Sequence, residues 1–397
     1  MYLSKKFSSI SPSSTLAIDS KFKEMKANGV DVVGFGAGEP DFDTPAHIRE
    51  AAINAINDGF TRYTPASGTV ELKKAIADKF KRDNGLDYDT SNIVVSNGAK
   101  HSIVNALGAI LNPGDEVIVP TPCWVSYVEM IKINDGVPVL VKASESDNFL
   151  VSAEKLEKAI TDKTRAIIIN TPSNPTGMIY SAEELEKIAK MCVEKNIYVI
   201  SDEIYEHLIY GDKKHVSIAS FGEDIKDLTI IINGVSKTYA MTGWRIGYTA
   251  SNATIAKLMA NVQSHQTSNP NSIAQKAAVA ALNGSMNDVI KMRSEFEKRK
   301  NYMVERINAV DGVSCIMPDG AFYVMMNISK LIGKKFGDKV ISGSDDFANL
   351  LLDEQKVAVV PCSGFDSDIH VRWSYATSME NIKEGIDRLE QFIGKLK

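Results

Sequence analysis

The chain has 397 residues, with 45 Lys+Arg against 50 Asp+Glu and a formal net charge of −5. Hydrophobic residues make up 44% and charged residues 24%, an ordinary globular composition that excludes a mainly disordered chain and fits two or three folded units, or one large unit with a smaller companion. No basic run stands out, which argues against a nucleic-acid partner, and no stretch nears the roughly 18 apolar residues of a membrane span.

The first residues, MYLSKKFSSISPSST, carry Lys5 and Lys6 with no apolar stretch behind them, so no secretory signal is read there. Cys123, Cys192, Cys315 and Cys362 lie far apart, without C-x-x-C spacing or paired histidines. A zinc ribbon, a redox dithiol and a disulfide scaffold are therefore poor readings, no metal is expected, and a cytoplasmic chain is.

From about residue 47, helical periodicity alternates with short β-branched runs. Helices are predicted over 47–59 and 69–84, a strand over 92–95, and a helix from there to 111. Asn112-Pro113-Gly114-Asp115 is a turn, followed by strands at 116–119, 137–141 and 165–170. An amphipathic helix over 182–195 precedes strands at 197–201, 229–232 and 246–250. Strands apolar on both faces and alternating with helices predict an α/β fold: a mostly parallel sheet with helices on both faces. After about residue 285 come a long charged helix (290–307), strands at 321–326, 357–360 and 370–375, and a helix at 345–354. The expected division is a large domain over 47–285 and a smaller α+β domain over 286–397 that also takes in 1–46.

Ligands of an open parallel sheet bind beyond the carboxyl ends of its strands. Ser96-Asn97-Gly98-Ala99-Lys100 follows the strand at 92–95 and turns into a helix, which makes an anion cup of free N–H groups. Asn174 stands in the turn after the strand at 165–170, and Asp202 follows 197–201 with Tyr205 three residues on. Lys237 follows 229–232, and Arg245 lies eight residues past it. Singly, each has a plain reading: Asp202 a helix cap, Lys237 a solvated lysine, Asn174 a turn residue. Together they set an anion cup, a carboxylate, an amine, an amide and a guanidinium on one sheet edge, the set that pyridoxal 5'-phosphate needs. Trp124, after the next strand, could cover the ring. Gly34-Phe35-Gly36-Ala37-Gly38 mimics a dinucleotide fingerprint, but Glu39-Pro40 follows where the helix should run.

GVSKTYAMTGWRIG at 234–247 resembles the pyridoxal-phosphate attachment signature of the class-I aminotransferases. GAGEPDFDTP at 36–45, YTPASG at 63–68, NPTG at 174–177 and SDEIYEHL at 201–208 match the same family in the same order. The resemblance covers nearly the whole chain and points to a bacterial aspartate aminotransferase branch. It implies a ping-pong transaminase taking L-amino acids and 2-oxo acids, most simply aspartate and 2-oxoglutarate. Aromatic, prephenate-type or alanine aminotransferases and a C–S lyase are the alternatives on that scaffold. The resemblance also implies roles. Lys237 would hold the cofactor as a Schiff base and move the proton, and Asp202 would pair with the pyridine nitrogen. Asn174 and Tyr205 would bind the 3′-oxygen, and Trp124 would stack on the ring. Gly98, Ala99, Lys100, Ser236 and Arg245 would hold the phosphate, joined by Tyr63 from the neighbouring subunit of a homodimer. Arg372 would bind the substrate α-carboxylate and the backbone at Gly38 would close over it, with Asn174 and Trp124 also facing the substrate. For a distal carboxylate, Ser14 and Thr15 are the candidates. An ungapped count puts the lysine of some relatives at Gly108, and the turn is expected to aim Lys100 and His101 elsewhere.

Overall fold

The computed structural model describes residues 2–11 and 14–397, without the side chains of residues 14–17 and 19. The chain starts its regular sheet structure with a short strand β1 (Val33–Gly34) and then builds a seven-stranded sheet. Its strands are β2 (Ile93–Ser96), β3 (Glu116–Thr121), β4 (Val137–Lys142), β5 (Thr164–Asn170), β6 (Tyr198–Asp202), β7 (Thr229–Gly234) and β8 (Gly247–Ala250). They lie in the order β2-β8-β7-β6-β5-β3-β4. Six run parallel; β8 runs antiparallel to both β2 and β7. The connection from β7 to β8 holds only the 3-10 turn Thr242–Trp244 and no crossover helix, and the chain turns back antiparallel, whereas parallel neighbours are usually joined by a crossover helix.

Alternation decides which helix each strand residue meets. Val117, Val119, Ile168, Ile200 and Ile230 pack on the face covered by helices Ala99–Ile110 and Ala253–Gln266. Their neighbours Ile118, Ile167, Ile169 and Val199 pack on the other face, under helix Ala182–Lys195. Further along that face, Ile93, Val95, Ile231 and Tyr248 meet helices Ala46–Asn57, Val70–Lys79 and Ser272–Asn283. Each fully buried aliphatic side chain contributes roughly 1.5–3 kcal/mol to this sandwich. Cys123, Cys192, Cys315 and Cys362 are buried free thiols, and burial pushes each up to about 12.

The helices at Ala253–Gln266 and Ser272–Asn283 escape a simple periodicity reading, although Asn252 and Asn271 cap them by accepting from Ile255 N and Ala274 N. The predicted strand at 357–360 divides. Val357–Ala358 pairs in parallel with β1, while Val360–Pro361 joins an antiparallel sheet with His370–Ser374, Tyr323–Asn327 and Ser314–Cys315. Helices Asn287–Asn308, Ser344–Gln355 and Met379–Ile393 cover that second sheet. The N-terminal segment thus packs on the C-terminal part, with Lys21 and Asp353 adding an ion pair at 2.9 Å. No helix among the described residues is long and apolar enough to cross a membrane.

Phe35, fully buried, seats that segment with its ring 4.5 Å from Trp373. Gly385 on helix Met379–Ile393 makes room for it, since a Cβ there would lie 2.3 Å from the Phe35 ring. Gly385→Ala should therefore destabilise the protein by about 1–3 kcal/mol through overpacking, seen as a lower denaturation midpoint. An unchanged midpoint would mean that the ring moves aside freely.

Candidate active site

The carboxyl ends of β5, β6 and β7 and the turns after β2 and β3 meet at a cavity of about 480 Å³. Gly38, Ala99, Lys100, Trp124, Asn174, Asp202, Tyr205, Ser236, Lys237, Arg245 and Arg372 all line it, although they span more than 300 positions of sequence.

One end is an anion cup. Gly98 caps helix Ala99–Ile110 with a φ of 88°, a conformation that favours glycine. A Cβ at Gly98 would lie 2.3 Å from Arg245 Nη2, and one at Gly247 would lie 2.2 Å from Ala99 N. The two glycines therefore let a guanidinium press against a helix N-terminus. Arg245 Nη1 donates to Thr242 O at 2.7 Å and Nη2 to Asn97 O at 3.4 Å. A helix N-terminus and a guanidinium facing the same space call for an anion such as a phosphate.

The centre holds one acid and one amine. Asp202 accepts from Tyr127 Oη at 2.6 Å and from Ile204 N at 3.3 Å. Burial nonetheless pushes its carboxyl up to about 6, against those two hydrogen bonds and with a further push from Glu203. The Lys237 ammonium donates to Gly38 O. Burial brings it down to about 8, Arg372 and Arg245 lower it too, and Glu39 opposes them. Both groups are thus strained in their charged forms, and a cationic ring nitrogen beside Asp202 with a covalent partner on Lys237 would relieve both.

The other end holds Arg372, 2% exposed, with its guanidinium 4.3 Å over the Tyr323 ring. Nη1 donates to Asn174 Oδ1 at 2.9 Å and Nη2 to Gly36 O at 3.1 Å, while Nε has no partner. A buried guanidinium held only by neutral acceptors is ready for a carboxylate. Trp124 forms a wall, its ring 5.4 Å from Tyr127 and perpendicular to it.

Contrary to the sequence expectation, the turn aims Lys100 into the cavity, its ammonium 4.8 Å over Trp124. Helix Ala99–Ile110 starts at once, and its second residue projects over the wall rather than away from it. His101 does turn away, its Nδ1 accepting from Asn97 N at 3.2 Å. Gly108 lies off the cavity, where a Cβ would meet Asn134 Oδ1 at 3.0 Å. Tyr63 is 92% exposed and does not line the cavity of its own chain. The side chains of Ser14 and Thr15 lie outside the described residues.

Sequence reasoning missed Tyr127, Tyr323, Asn170 and Glu39. Tyr127 lies three residues past Trp124 on the first turn of helix Ser126–Ile133, and its N–H donates to Trp124 O at 3.1 Å. Asn170 ends β5 and donates to Asp202 O at 3.0 Å while accepting from Asn174 N at 2.8 Å. Tyr323 meets Tyr205 hydroxyl to hydroxyl at 3.0 Å, a contact across distant elements that no local signal reveals. Glu39 accepts from Thr242 Oγ1 at 2.6 Å. The cup, the strained carboxylate, the strained amine and the small-residue cradle fit pyridoxal phosphate.

The model of the family "Aminotransferase class I and II" matches residues 30–389. The aspartate aminotransferase of Bacillus subtilis (strain 168) is 51% identical over 395 residues, covering 100% of both chains. The aspartate/prephenate aminotransferase of Nitrosomonas europaea is 43% identical, covering 99% of this chain and 100% of its own. Among solved structures, the aspartate aminotransferase from Rhizobium meliloti superposes with a TM-score of 0.96 at 43% identity, covering 100% of both chains. That of Thermus thermophilus with maleate superposes at 0.93 and 40% identity, covering 99% of this chain and 100% of its own. With a family match across most of its length and relatives this similar along the whole of it, the chain belongs to the class I and II aminotransferases and is a pyridoxal-phosphate-dependent transferase.

Proposed function

We propose that this aminotransferase moves the amino group of aspartate to 2-oxoglutarate by a ping-pong mechanism. The observation that carries the reading is that, besides Lys237 and Arg245, the cavity is lined by the buried Arg372 guanidinium and by two further lysines, Lys23 and Lys100, of which the Lys100 ammonium stands over Trp124. Two cations suit a substrate with two carboxylates. Relatives named aspartate aminotransferase and a structural neighbour solved with maleate, a dicarboxylate, support it. Relatives named aspartate/prephenate aminotransferase keep prephenate as a second amino acceptor to assay.

When bound, the cofactor supplies an aldehyde that captures the amino group and a ring that draws electron density from Cα. The remaining work falls to the chain's side chains. Gly98, Ala99 and Lys100 by their N–H groups, with Ser236 and Arg245, would hold the phosphate. Asp202 keeps the ring nitrogen protonated, and Tyr127 and Ile204 N orient that carboxylate. Asn174 and Tyr205 would hold the ring oxygen, and Trp124 would pack on the ring. Arg372 takes the α-carboxylate in a two-pronged grip, Gly38 closes over it, and Lys100 takes the distal carboxylate. Burial holds Lys237 toward its neutral form, which suits it to serve as the base at Cα.

The proposed assembly is a homodimer. Tyr63, Ile53, Ile56 and Val70 are exposed at 92%, 55%, 53% and 71%, apolar surface that a second copy would cover, with Tyr63 reaching the partner's phosphate site. We place the cofactor-holding residues in a large domain over 47–285, the remainder forming the small domain that supplies Gly38 and Arg372. Four buried free thiols favour a cytoplasmic setting.

Lys237→Ala should lose the visible absorbance of lysine-bound cofactor and at least ~10⁴-fold in turnover, because attachment and base disappear together. A colourless but fully active wild type would end this reading. Lys100→Ala should lower kcat/KM for aspartate about 10- to 100-fold and leave alanine nearly unaffected, whereas Arg372→Ala should lower both by roughly 2–5 kcal/mol. Equal losses for the two substrates in Lys100→Ala would move the distal carboxylate elsewhere.

The charge on Asp202 also sets a pH dependence. In cofactor-free protein its folded value, about 6, lies above the ordinary 3.8, so stability present below pH 3.8 is lost as the pH rises through 6. Asp202→Asn should therefore raise the denaturation midpoint of cofactor-free protein by a few degrees at pH 8 and leave it unchanged at pH 3.5. A variant that is less stable than wild type at pH 8 would show that the charged carboxylate is well paired without cofactor.

A further inference from the structure

The segment 201–207 has two faces. Asp202 and Tyr205 look into the cavity. Glu203 and Glu206, each one residue further on, look away from it into the protein, with side chains 0% and 4% exposed. Buried carboxylates are costly unless paired and hydrogen-bonded, and both are. Glu203 accepts from Ser201 Oγ at 2.9 Å and Ser217 Oγ at 2.6 Å, and meets His215 Nε2 at 3.0 Å. Glu206 pairs with the ammonium of Lys79, itself 1% exposed, and accepts from Asn233 Nδ2 at 2.7 Å and Asn84 Nδ2 at 3.1 Å.

Ligand atoms of Glu203, Glu206 and His215 lie within 4.8 Å of one another, close enough to hold a cation. Lys79 already supplies that cation to Glu206, so the cluster is an internal ion network. Burial opposes the charge on Glu206, but Lys79, His207 and His215 outweigh it and hold the carboxyl well below its usual range. Burial likewise opposes the charge on His215, and Glu203 reverses that.

The network reaches Lys237 through one side chain. Asn233, 1% exposed, sits near the end of β7, with its Nδ2 on Glu206 and its Oδ1 accepting from Gly234 N at 2.7 Å. Gly234 cannot shift freely: a Cβ there would lie 2.9 Å from Ile246 O and 3.0 Å from Gly247 Cα. Lys237 follows three residues later, on a loop that depends on this start.

We propose that Glu206, neutralised by Lys79, is a positioning residue for Lys237: through Asn233 it fixes the first turn of the loop that aims the amine into the cavity. The proposal rests on the reading of Lys237 as the cofactor-bearing amine. The charged groups facing Lys237 are Glu39, Arg372, Arg245 and Asp202, and those facing Glu206 are Lys79, His207, His215, Glu203 and Asp83.

The test uses Asn233→Ala and the double variant Lys79→Met/Glu206→Leu, separately and combined. Both leave the net charge of the network unchanged, and removing both members of a buried ion pair together is often well tolerated. The readouts are kcat and KM for aspartate, and the pH midpoint of the visible absorbance of cofactor attached to Lys237. Each variant should lower kcat about 10- to 100-fold, as small misplacements of a reacting group do, with KM within about twofold. Each should move the absorbance midpoint by at least ~0.3 pH unit. The combined variant should be no worse than the poorer of the two, because they cut one chain of contacts. A lower denaturation midpoint with wild-type kcat and absorbance midpoint would overturn the proposal and leave the network a purely structural one. Stoichiometric metal in the purified protein would overturn it as well. Should Asn233→Ala fail to fold, the charge-free double variant carries the test alone. A wild type that binds cofactor at Lys237 but does not transaminate aspartate would defeat the proposed activity, while the absorbance midpoints would still decide the positioning role.

Discussion

The parallel ladder between β6 and β7 is the constraint on which the site depends. It pairs Asp202 with Ile232, so both strands finish on the same side of the sheet. The residues after them, with Asp202 itself, are thereby delivered to one cavity. Beyond β7 the chain enters the loop that carries Lys237 and returns as the antiparallel β8. Had these strands paired antiparallel, their carboxyl ends would lie at opposite edges and no acid–amine pair could form. The parallel arrangement in turn requires both faces to be covered, which explains the near-continuous burial along β6 and β7.

The cavity holds charge at a cost. Asp202 and Lys237 are both displaced toward their neutral forms by burial, and Arg372 keeps a donor without a partner. Such groups are destabilising by themselves and persist because the surrounding sheet is rigid. The same physics separates them from the Glu203–Glu206 network just behind. There each carboxylate has its cation or its hydroxyl donors. An open charge marks the space where a substrate or cofactor belongs, and a closed network marks the support beneath it.

The second sheet shapes the site differently. Arg372 comes from His370–Ser374, and Tyr323 from its neighbour Tyr323–Asn327, paired in register Met325 to Arg372. Gly36 and Gly38 come from the segment that β1 ties to Val357–Ala358. Three distant parts of the chain therefore converge on the substrate end of the cavity. That end is assembled where the second sheet and the β1 segment meet the seven-stranded sheet, whereas the cofactor end lies at the edge of the seven-stranded sheet itself.

The sequence alone determined the alternation of strands and helices, the residues at the strand ends, and the family. Local chemistry carries each of these: β-branched runs bounded by turns, small residues before a helix, and a lysine and arginine at fixed separation in 234–247. The helix at Ala182–Lys195 was legible to the residue because Ser181 caps it and its apolar side chains keep strict helical spacing. Tertiary structure alone decided the antiparallel course of β8 and the division of 357–361 between two sheets, since both depend on partners far away in the chain. It also decided the direction of Lys100, which follows from where Trp124 stands, and the contact of Tyr205 with Tyr323. Side chains that meet across more than a hundred residues leave no periodic trace, because nothing local constrains them until the core has closed.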